Sequence, residues 1–295
     1  MSAAPVTQSG RVLIIAGSDS GGGAGIQGDL KTVQALGGYG MTAITALTAQ
    51  NTLGVFGIHP VPEAFIAQQI SLCLEDIGAD AIKTGMLHSA GVIEAVVESL
   101  GVRGSGFGVR ENISTQSIAS KTTAHETRNP NPDTLPLVVD PVMVAKGGAA
   151  LLEAQALEAL KKLLIPRAAL ITPNLPEAEL LLGRVIAATP EAMTEAARAL
   201  LELGCAAVLL KGGHGQGDLL YDVLVCHEAA PVTLTAPRID TRHTHGTGCA
   251  LASAIATGLA QKLTLEAAVR RAHAYVQGAI ARAPGFGQGH GPLGH

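Results

Sequence analysis

Tryptophan is absent from this chain of 295 residues, and aromatic side chains make up only 2% of it. Proteins that bind single-stranded nucleic acid stack the bases on aromatic rings, and duplex-binding proteins neutralise phosphates with lysine and arginine. The chain has few aromatic rings, and its formal net charge of −4 shows no excess of basic residues. We therefore expect no nucleic acid among its partners.

Disulfide and membrane features are missing as well. The cysteines are far apart and form no C-x-x-C pair, which favours a reducing compartment over a disulfide framework or a zinc knuckle; they are Cys73, Cys205, Cys226 and Cys249. No apolar run reaches the roughly 18 residues that span a bilayer, and the first residues, MSAAPVTQSG, lack the regions of a secretory signal. The sequence predicts a soluble, cytoplasmic protein with no membrane partner.

Short apolar runs rich in β-branched residues alternate along the chain with longer stretches of helical periodicity. This alternation is typical of an α/β fold with a mostly parallel central sheet flanked by helices. The candidate strands are RVLIIAG, MTAITALTA, DAIKTGM, LPLVVDPVM, ALITPN, AAVLLKGG and LYDVLVC.

Helix signals separate several of these strands. Thr189 and Thr264 have the residue type and position of N-terminal caps. Between the first two strands an apolar stripe recurs at helical spacing, through Ile26, Leu30, Val33 and Leu36. With 47% hydrophobic residues, we expect one domain over residues 1–295. A polar stretch at 103–134 predicts an inserted mobile loop, either without a role or acting as a lid.

The first glycine-rich stretch, AGSDSGGGAGIQGDL, contains the G-x-G-x-x-G pattern over residues 23–28. A dinucleotide-binding fold places an acidic residue about 20 positions later. After Asp29 the next acid is Glu63, and the second predicted strand runs out at Gln50. The pattern therefore disfavours NAD, and because no G-K pair occurs in the chain, a Walker A loop is excluded too.

A second glycine-rich stretch, HTHGTGCALASAIATGLA, leads into a helix of small residues. The free N–H groups and the positive dipole end of a helix start bind anions, and glycine at Gly246 and Gly248 leaves the backbone accessible. The same position predicts a lowered pKa for Cys249, favouring its thiolate. The alternative is a glycine-rich turn joined to a buried cysteine.

Polar residues follow three other predicted strands, at the carboxyl edge where open α/β sheets bind ligands. Asp140 and Glu177 could hold Mg²⁺ through water and phosphate oxygens, and Lys211 could offset phosphate charge. Asn174 precedes Glu177 at the third of these strand ends. Taken singly, these residues could serve a turn, a first helical turn or a solvated strand end. Together with the helix start they predict phosphoryl transfer.

In their order along the chain these motifs resemble the hydroxymethylpyrimidine/phosphomethylpyrimidine kinases of the ribokinase-like superfamily. The resemblance covers nearly everything outside 103–134 and implies a single-domain ribokinase-like fold. It rests on IAGSDSGGGAGIQGDLKTVQALGGYGMTAITALTAQNTLGV, IKTGML, VVDPVMVAKGG, ITPNLPEAELL, LLKGGH, HTHGTGCALASAIA and GQGHGP.

The resemblance implies an ATP-dependent enzyme, a homodimer, that phosphorylates 4-amino-5-hydroxymethyl-2-methylpyrimidine and then adds a second phosphate. It places Gln50 against the ring's amino and nitrogen edge. The other implied contacts of the pyrimidine are Ala24, Met86 and Val142.

For the phosphoryl groups, the resemblance implies an anion hole formed by Gly246, Thr247, Gly248 and Cys249. Cys249 would lie beside the acceptor hydroxyl and act as general base in the first transfer. Asp140 and Glu177 would act through Mg²⁺, and Asn174 and Lys211 would lie along the nucleotide.

Some positions depart from the family pattern. Gly21 and Gly28 replace an expected serine and alanine, and His273 replaces an expected lysine, which puts one nucleotide contact in doubt unless His273 merely faces solvent. His243 and His245 form an H-x-H pair with no third zinc ligand in reach by sequence. Two other functions stay open: a pyridoxal kinase of the same superfamily and a non-catalytic sensor of a thiamine precursor.

Overall fold

A computed structural model describes residues 9–101, 135–143, 151–213 and 217–295. The predicted insertion at 103–134 lies outside these residues. The strands are β1 (Arg11–Ala16), β2 (Tyr39–Ile44), β3 (Ala46–Asn51), β4 (Gly54–Pro60), β5 (Ala81–Thr84), β6 (Leu137–Val139), β7 (Leu170–Ile171), β8 (Ala207–Lys211), β9 (Leu219–Cys226) and β10 (Val232–Pro237).

Helices fill the connections between these strands. Two of them, α2 and α4, continue into five-residue π-helical turns, Cys73–Ile77 and Leu160–Leu164, and the second is followed by a 3₁₀ turn, Ile165–Arg167. The helices are α1 (Gly25–Ala35), α2 (Glu63–Leu72), α3 (Ala90–Gly101), α4 (Ala154–Ala159), α5 (Leu175–Leu182), α6 (Pro190–Leu201), α7 (Thr247–Ala260) and α8 (Leu265–Ala281).

The central sheet has eight strands in the order β10-β9-β8-β7-β6-β5-β1-β2. The six strands from β2 to β8 in this order are parallel, and β9 and β10 are added antiparallel at one edge. The expected α/β fold with a mostly parallel sheet is confirmed. β3 and β4 form a separate antiparallel pair.

Helices cover both faces of the sheet, so β1 is buried on both sides. Leu13 and Ile15 point into one apolar cluster, with α2 to α6, while Val12 and Ile14 point into the other, with α1, α7 and α8. This alternation follows from the two-residue period of a strand. The predicted stripe of α1 lies in the second cluster, with Ile26 and Val33 buried.

The predicted helix starts are also found. Thr189 Oγ1 accepts a hydrogen bond from the N–H of Ala192 at the start of α6. Thr264 Oγ1 accepts one from the N–H of Ala267 at the start of α8. Both caps satisfy first-turn N–H groups that have no partner within the helix.

Three strand predictions were wrong in extent. The run MTAITALTA is not one strand: it divides at Thr45 into β2 and β3, because β3 leaves the main sheet to pair with β4. In LPLVVDPVM only Leu137–Val139 is a strand, and in ALITPN only Leu170–Ile171. β4 and β10 were not predicted.

Among the described residues, none of the helices is both long enough and apolar enough to cross a bilayer. All four cysteines carry free thiols.

Candidate active site

One cavity of about 810 Å³ opens at the carboxyl ends of the central parallel strands. It lies where the strand order reverses, since β1 separates β2 from β5, and this is where open α/β sheets bind ligands. Every site residue predicted from the sequence lines it: Ala24, Gln50, Met86, Asp140, Val142, Asn174, Glu177, Lys211, Gly246, Thr247, Gly248 and Cys249.

The start of α7 forms one wall of this cavity. Gly246 has a left-handed backbone with φ of +86°, and no side chain caps the helix. The first helical hydrogen bond is donated by Ala250 to the Gly246 carbonyl, so the N–H groups of residues 247–249 precede it. These groups and the helix dipole favour an anion. A Cβ atom at Gly246 would collide with the carbonyl oxygen of Gly23, so the turn requires glycine.

Lys211 and Asp140 form an ion pair beside this helix start. Lys211 Nζ lies 3.0 Å from Asp140 Oδ1, and Thr172 Oγ1 donates to the same oxygen at 3.0 Å. A Cβ atom at Gly248 would lie 3.1 Å from Lys211 Nζ. The helix start and a buried ammonium group therefore face the same small volume, where they can bind phosphate oxygens together.

Asn174 and Glu177 cap the start of α5 in addition to lining the cavity. The Asn174 side chain accepts from the Glu177 N–H at 2.9 Å, and Glu177 Oε2 accepts from the Asn174 N–H at 2.8 Å. This reciprocal arrangement is a capping box. Burial raises the pKa of Glu177 to about 7, against the opposing effect of Lys211 and with a contribution from Asp140.

Cys249 corrects the expectation of a lowered thiol pKa. Burial raises the pKa of Cys249 to about 12, and the opposing charge of Lys83 does not compensate. Loss of solvation, with the nearby charges of Asp29 and Asp140, thus prevails over the charge of Lys83. Cys249 is in the predicted place at the cavity wall, but as a neutral thiol.

The opposite part of the cavity has an apolar wall. Met86 packs in a small buried cluster with Ala46 and Leu151, and Val142 packs against it. The amide of Gln50, on β3, lines the same cavity. Apolar surfaces with a polar group that fixes orientation are typical of a subsite that binds a ring.

Several residues of the cavity were missed as site residues. Asp19 accepts hydrogen bonds from the N–H groups of Gly21, Gly23 and Ala24 and so fixes the first glycine-rich loop. Lys83 is fully buried and lines the cavity. Two signals could have found them: an acid inside a glycine-rich loop, and a charge inside the apolar strand DAIKTGM.

His273 also lines the cavity, with its side chain only 16% exposed, so it does not simply face solvent. Its Nε2 lies 3.9 Å from Asp222 Oδ2, and the other oxygen of Asp222 accepts from the Gly212 N–H at 2.9 Å. The imidazole thus stands beside a carboxylate at the turn after β8.

The two histidines of the H-x-H pair point to different partners. His245 lies 2.8 Å from Asp19 Oδ2, whereas His243 packs at Gly291 in the C-terminal tail. In the described part of the chain, no group of three or more His, Cys, Asp or Glu residues is arranged to hold a metal ion.

Known proteins resemble this chain in sequence and in fold. A sequence profile described as phosphomethylpyrimidine kinase matches residues 19–109 and 113–294. The thiamine biosynthesis bifunctional protein ThiED of Geobacter sulfurreducens is 49% identical over 290 residues, covering 97% of this chain and 52% of that protein, so the chain spans about half its length.

A second relative matches over its whole length. The hydroxymethylpyrimidine/phosphomethylpyrimidine kinase of Haemophilus influenzae is 43% identical over 288 residues, covering 97% of this chain and 96% of that enzyme. Among solved structures, an ADP complex of Bacillus subtilis pyridoxal kinase has a TM-score of 0.81 and 33% identity, with 97% of each chain covered.

The mostly parallel sheet, the cavity at its carboxyl edge and the likeness to solved kinase structures identify a kinase with a ribokinase-like fold. More narrowly, the chain belongs to the phosphomethylpyrimidine kinase family. The resemblance inferred from the sequence motifs is confirmed.

Proposed function

We propose that the protein transfers the γ-phosphoryl group of ATP to 4-amino-5-hydroxymethyl-2-methylpyrimidine, and then a second phosphoryl group to the monophosphate, in thiamine diphosphate biosynthesis. One observation carries the proposal: the anion site on α7 and the amide of Gln50 line the same cavity. A ring bound at Gln50 can thus present its hydroxymethyl arm to a phosphoryl group on α7.

The chain's own residues divide the work. Gln50 orients the pyrimidine by its amino and nitrogen edge, while Ala24, Met86 and Val142 pack against the ring. The N–H groups of Gly246, Thr247, Gly248 and Cys249 bind the phosphoryl group during transfer, when its negative charge must be stabilised. Lys211 and Asn174 lie along the nucleotide phosphates.

Magnesium fits this site if Asp140 and Glu177 hold the ion through water molecules and phosphate oxygens. Asp140 and Glu177 supply hard oxygen donors, but Asp140 Oδ1 is held by Lys211 and Glu177 Oε2 by the capping box. Two partly committed carboxylates suit Mg²⁺, which keeps several waters and binds mainly phosphate oxygens. When bound, the ion would neutralise phosphate charge.

Cys249 has a different role from the one expected of a thiolate. With a pKa of about 12 its thiol is neutral near pH 7, and too few thiolates form to act as an efficient base. Because phosphoryl transfer passes through a loose transition state, the acceptor hydroxyl loses its proton late. We propose that the neutral thiol holds this hydroxyl in line while its O–P bond forms and the bond to ADP breaks, and that the hydroxyl proton passes late to an oxygen of the transferred phosphoryl group and on to water. The monophosphate, already ionised, needs no base.

A time course with purified protein, Mg-ATP, the hydroxymethylpyrimidine and pyridoxal in one tube, followed by mass spectrometry, tests the proposal. We expect the pyrimidine monophosphate first and the diphosphate later. Pyridoxal phosphate as the sole product would establish a pyridoxal kinase instead. The likeness to the Bacillus subtilis pyridoxal kinase supports testing this alternative. Ligand binding with no product would indicate the non-catalytic sensor.

We also propose a homodimer acting in the cytoplasm, with no nucleic acid partner. Four free thiols support the reducing compartment.

The pair β3–β4 turns Thr48 and Gln50 inward, while Leu47 and Phe56 are 47% and 72% exposed. A second copy would cover this apolar face. Phe56→Lys should shift the mass in sedimentation from dimer to monomer; an unchanged mass would place the interface elsewhere.

A further inference from the structure

His245 joins the two glycine-rich loops of the cavity. Its Nε2 lies 2.8 Å from Asp19 Oδ2, and the side chains are 15% and 2% exposed. Burial raises the pKa of Asp19, but hydrogen bonds from His245 and from the loop N–H groups outweigh it and hold the pKa below its usual value. Since an ionised carboxylate only accepts hydrogen bonds, Nε2 of His245 carries a hydrogen atom directed at Asp19.

The same nitrogen lies 3.2 Å from Nε2 of Gln50. With that orientation two N–H groups would face each other. Thr48 gives a similar conflict at the other end of the amide. Its single hydroxyl hydrogen is donated to the Ser18 carbonyl at 2.9 Å, so mainly oxygen lone pairs face each other between Thr48 Oγ1 and Gln50 Oε1 at 3.2 Å.

Turning the Gln50 amide by 180° removes both conflicts, because the two ends of an amide have the same shape and only their hydrogen bonding distinguishes them. Oε1 then lies beside the His245 Nε2–H as a second, more distant acceptor of the hydrogen that Asp19 Oδ2 accepts at 2.8 Å, and the NH₂ group donates to Thr48 Oγ1. One lone pair and one N–H remain for a ligand, in a fixed order.

We propose that His245 is a specificity-determining positioning residue: together with Thr48 it fixes the orientation of the Gln50 amide, and so selects a ring with an amino group beside a ring nitrogen over one with an oxo group beside an N–H. The inference rests on the proposed function, in which Gln50 binds the pyrimidine. An oxo ring reverses the order of donor and acceptor and would leave buried polar groups unpaired.

The test compares 4-amino-5-hydroxymethyl-2-methylpyrimidine with its 4-oxo analogue. The kcat/KM of the first phosphorylation and the Kd without ATP are measured for both rings. His245→Leu and Thr48→Val each remove one of the two contacts that orient the Gln50 amide. His245→Gln keeps an N–H donor, and His243→Leu makes the same change at a neighbour that does not line the cavity. Melting curves confirm that each variant is folded.

We expect the unchanged protein to favour the amino ring at least about 100-fold. His245→Leu and Thr48→Val should each reduce this ratio about tenfold, while His245→Gln and His243→Leu stay within about threefold of the unchanged protein. The inference is overturned if the ratio is unchanged in folded Thr48→Val and His245→Leu, with both rings losing activity equally. Should His245→Leu not fold, Thr48→Val decides.

The two proposals fail in different ways. Binding of the amino ring that depends on His245, without any product, would refute the proposed kinase activity and leave the inference standing. Product formation with an unchanged ratio would do the reverse. If the unchanged protein binds neither ring, both are wrong.

Discussion

Lys83 of β5 and Asp29 of α1 form an ion pair, Nζ to Oδ2 2.7 Å, in which both side chains are fully buried. Ser253 of α7 donates to the other carboxylate oxygen at 2.6 Å. The pair therefore ties together α1, which follows the first glycine-rich loop, and α7, which begins at the anion site. Burial and the charge of Lys83 act on the pKa of Asp29 in opposite directions, and burial prevails.

Removing one partner of this pair should cost more than removing both. Lys83→Met leaves a buried carboxylate uncompensated and should lower the free energy of unfolding by about 3–5 kcal/mol. Lys83→Met with Asp29→Asn should recover part of that loss, in urea titrations analysed as a double-mutant cycle. As a control, Glu266→Gln at the exposed pair with Arg270 should change stability by less than about 0.5 kcal/mol. A double variant no more stable than Lys83→Met would contradict the account.

Gly248→Ala should damage catalysis without damaging the fold. The added Cβ atom would lie 3.1 Å from Lys211 Nζ, inside the anion site, while alanine favours the first turn of a helix. We expect kcat to fall about 100-fold in both phosphoryl transfers, with the melting temperature nearly unchanged. Gly54→Ala, where a Cβ atom meets nothing within 4 Å, is the matched control. Undiminished kcat would remove the start of α7 from the transfer step.

Cys249 separates positioning from base catalysis. For a neutral thiol that only holds the acceptor hydroxyl, Cys249→Ala should slow the first transfer by less than about tenfold and leave the second nearly unchanged, and Cys249→Ser should restore most of the rate. A working thiolate base would contribute about 100-fold or more to the first step. Single-turnover rates for each step, measured separately, provide the comparison. A loss of about 100-fold or more in the first step would show that the thiol acts as a base.

Asp80 should govern stability at acid pH, far from the cavity. Hydrogen bonds from Arg11 hold the pKa of Asp80 below its usual value, with Nη2 to Oδ1 at 3.0 Å. A lowered pKa in the folded state means that the stabilisation is complete above the ordinary aspartate range and is lost as the pH falls through the folded value. Asp80→Asn should therefore cost about 1–2 kcal/mol at pH 7.

The pH dependence is the sharper part of this prediction. The stability difference between the unchanged protein and Asp80→Asn should be constant from about pH 5 to 8 and shrink below about pH 4. Chemical denaturation at each pH measures it. A difference that persists at the lowest pH would mean that packing, not charge, stabilises the pair.

Local patterns predicted which residues line the cavity because these residues follow strands or begin helices. Asp140, Asn174 and Lys211 were found at strand ends, and Gly246 at a helix start. The same logic failed where the partner is remote. β3 was assigned to the wrong strand because only pairing with β4 draws it away from the main sheet.

Charge and solvation were the least predictable. The pKa of Cys249 depends on how completely the folded chain excludes water, which no spacing of residues records. Likewise, the sequence shows Lys83 only as a charge within an apolar strand. Its partner Asp29 is 54 positions away in the sequence and becomes its neighbour only in the folded chain. His245 was noticed only as half of a metal-like pair, since its partner Asp19 is 226 positions away.

That separation bears on how the molecule folds. The contact between the two glycine-rich loops joins Asp19 to His245, which lies just before α7, and α7 packs against β1, β5 and β6. Contacts between such distant segments slow folding, because the entropy of closing a long loop is lost before the contact stabilises the chain. During synthesis the apolar face of the sheet that α7 covers stays exposed until α7 has been made. Until then the nascent chain is prone to aggregation and has no catalytic centre.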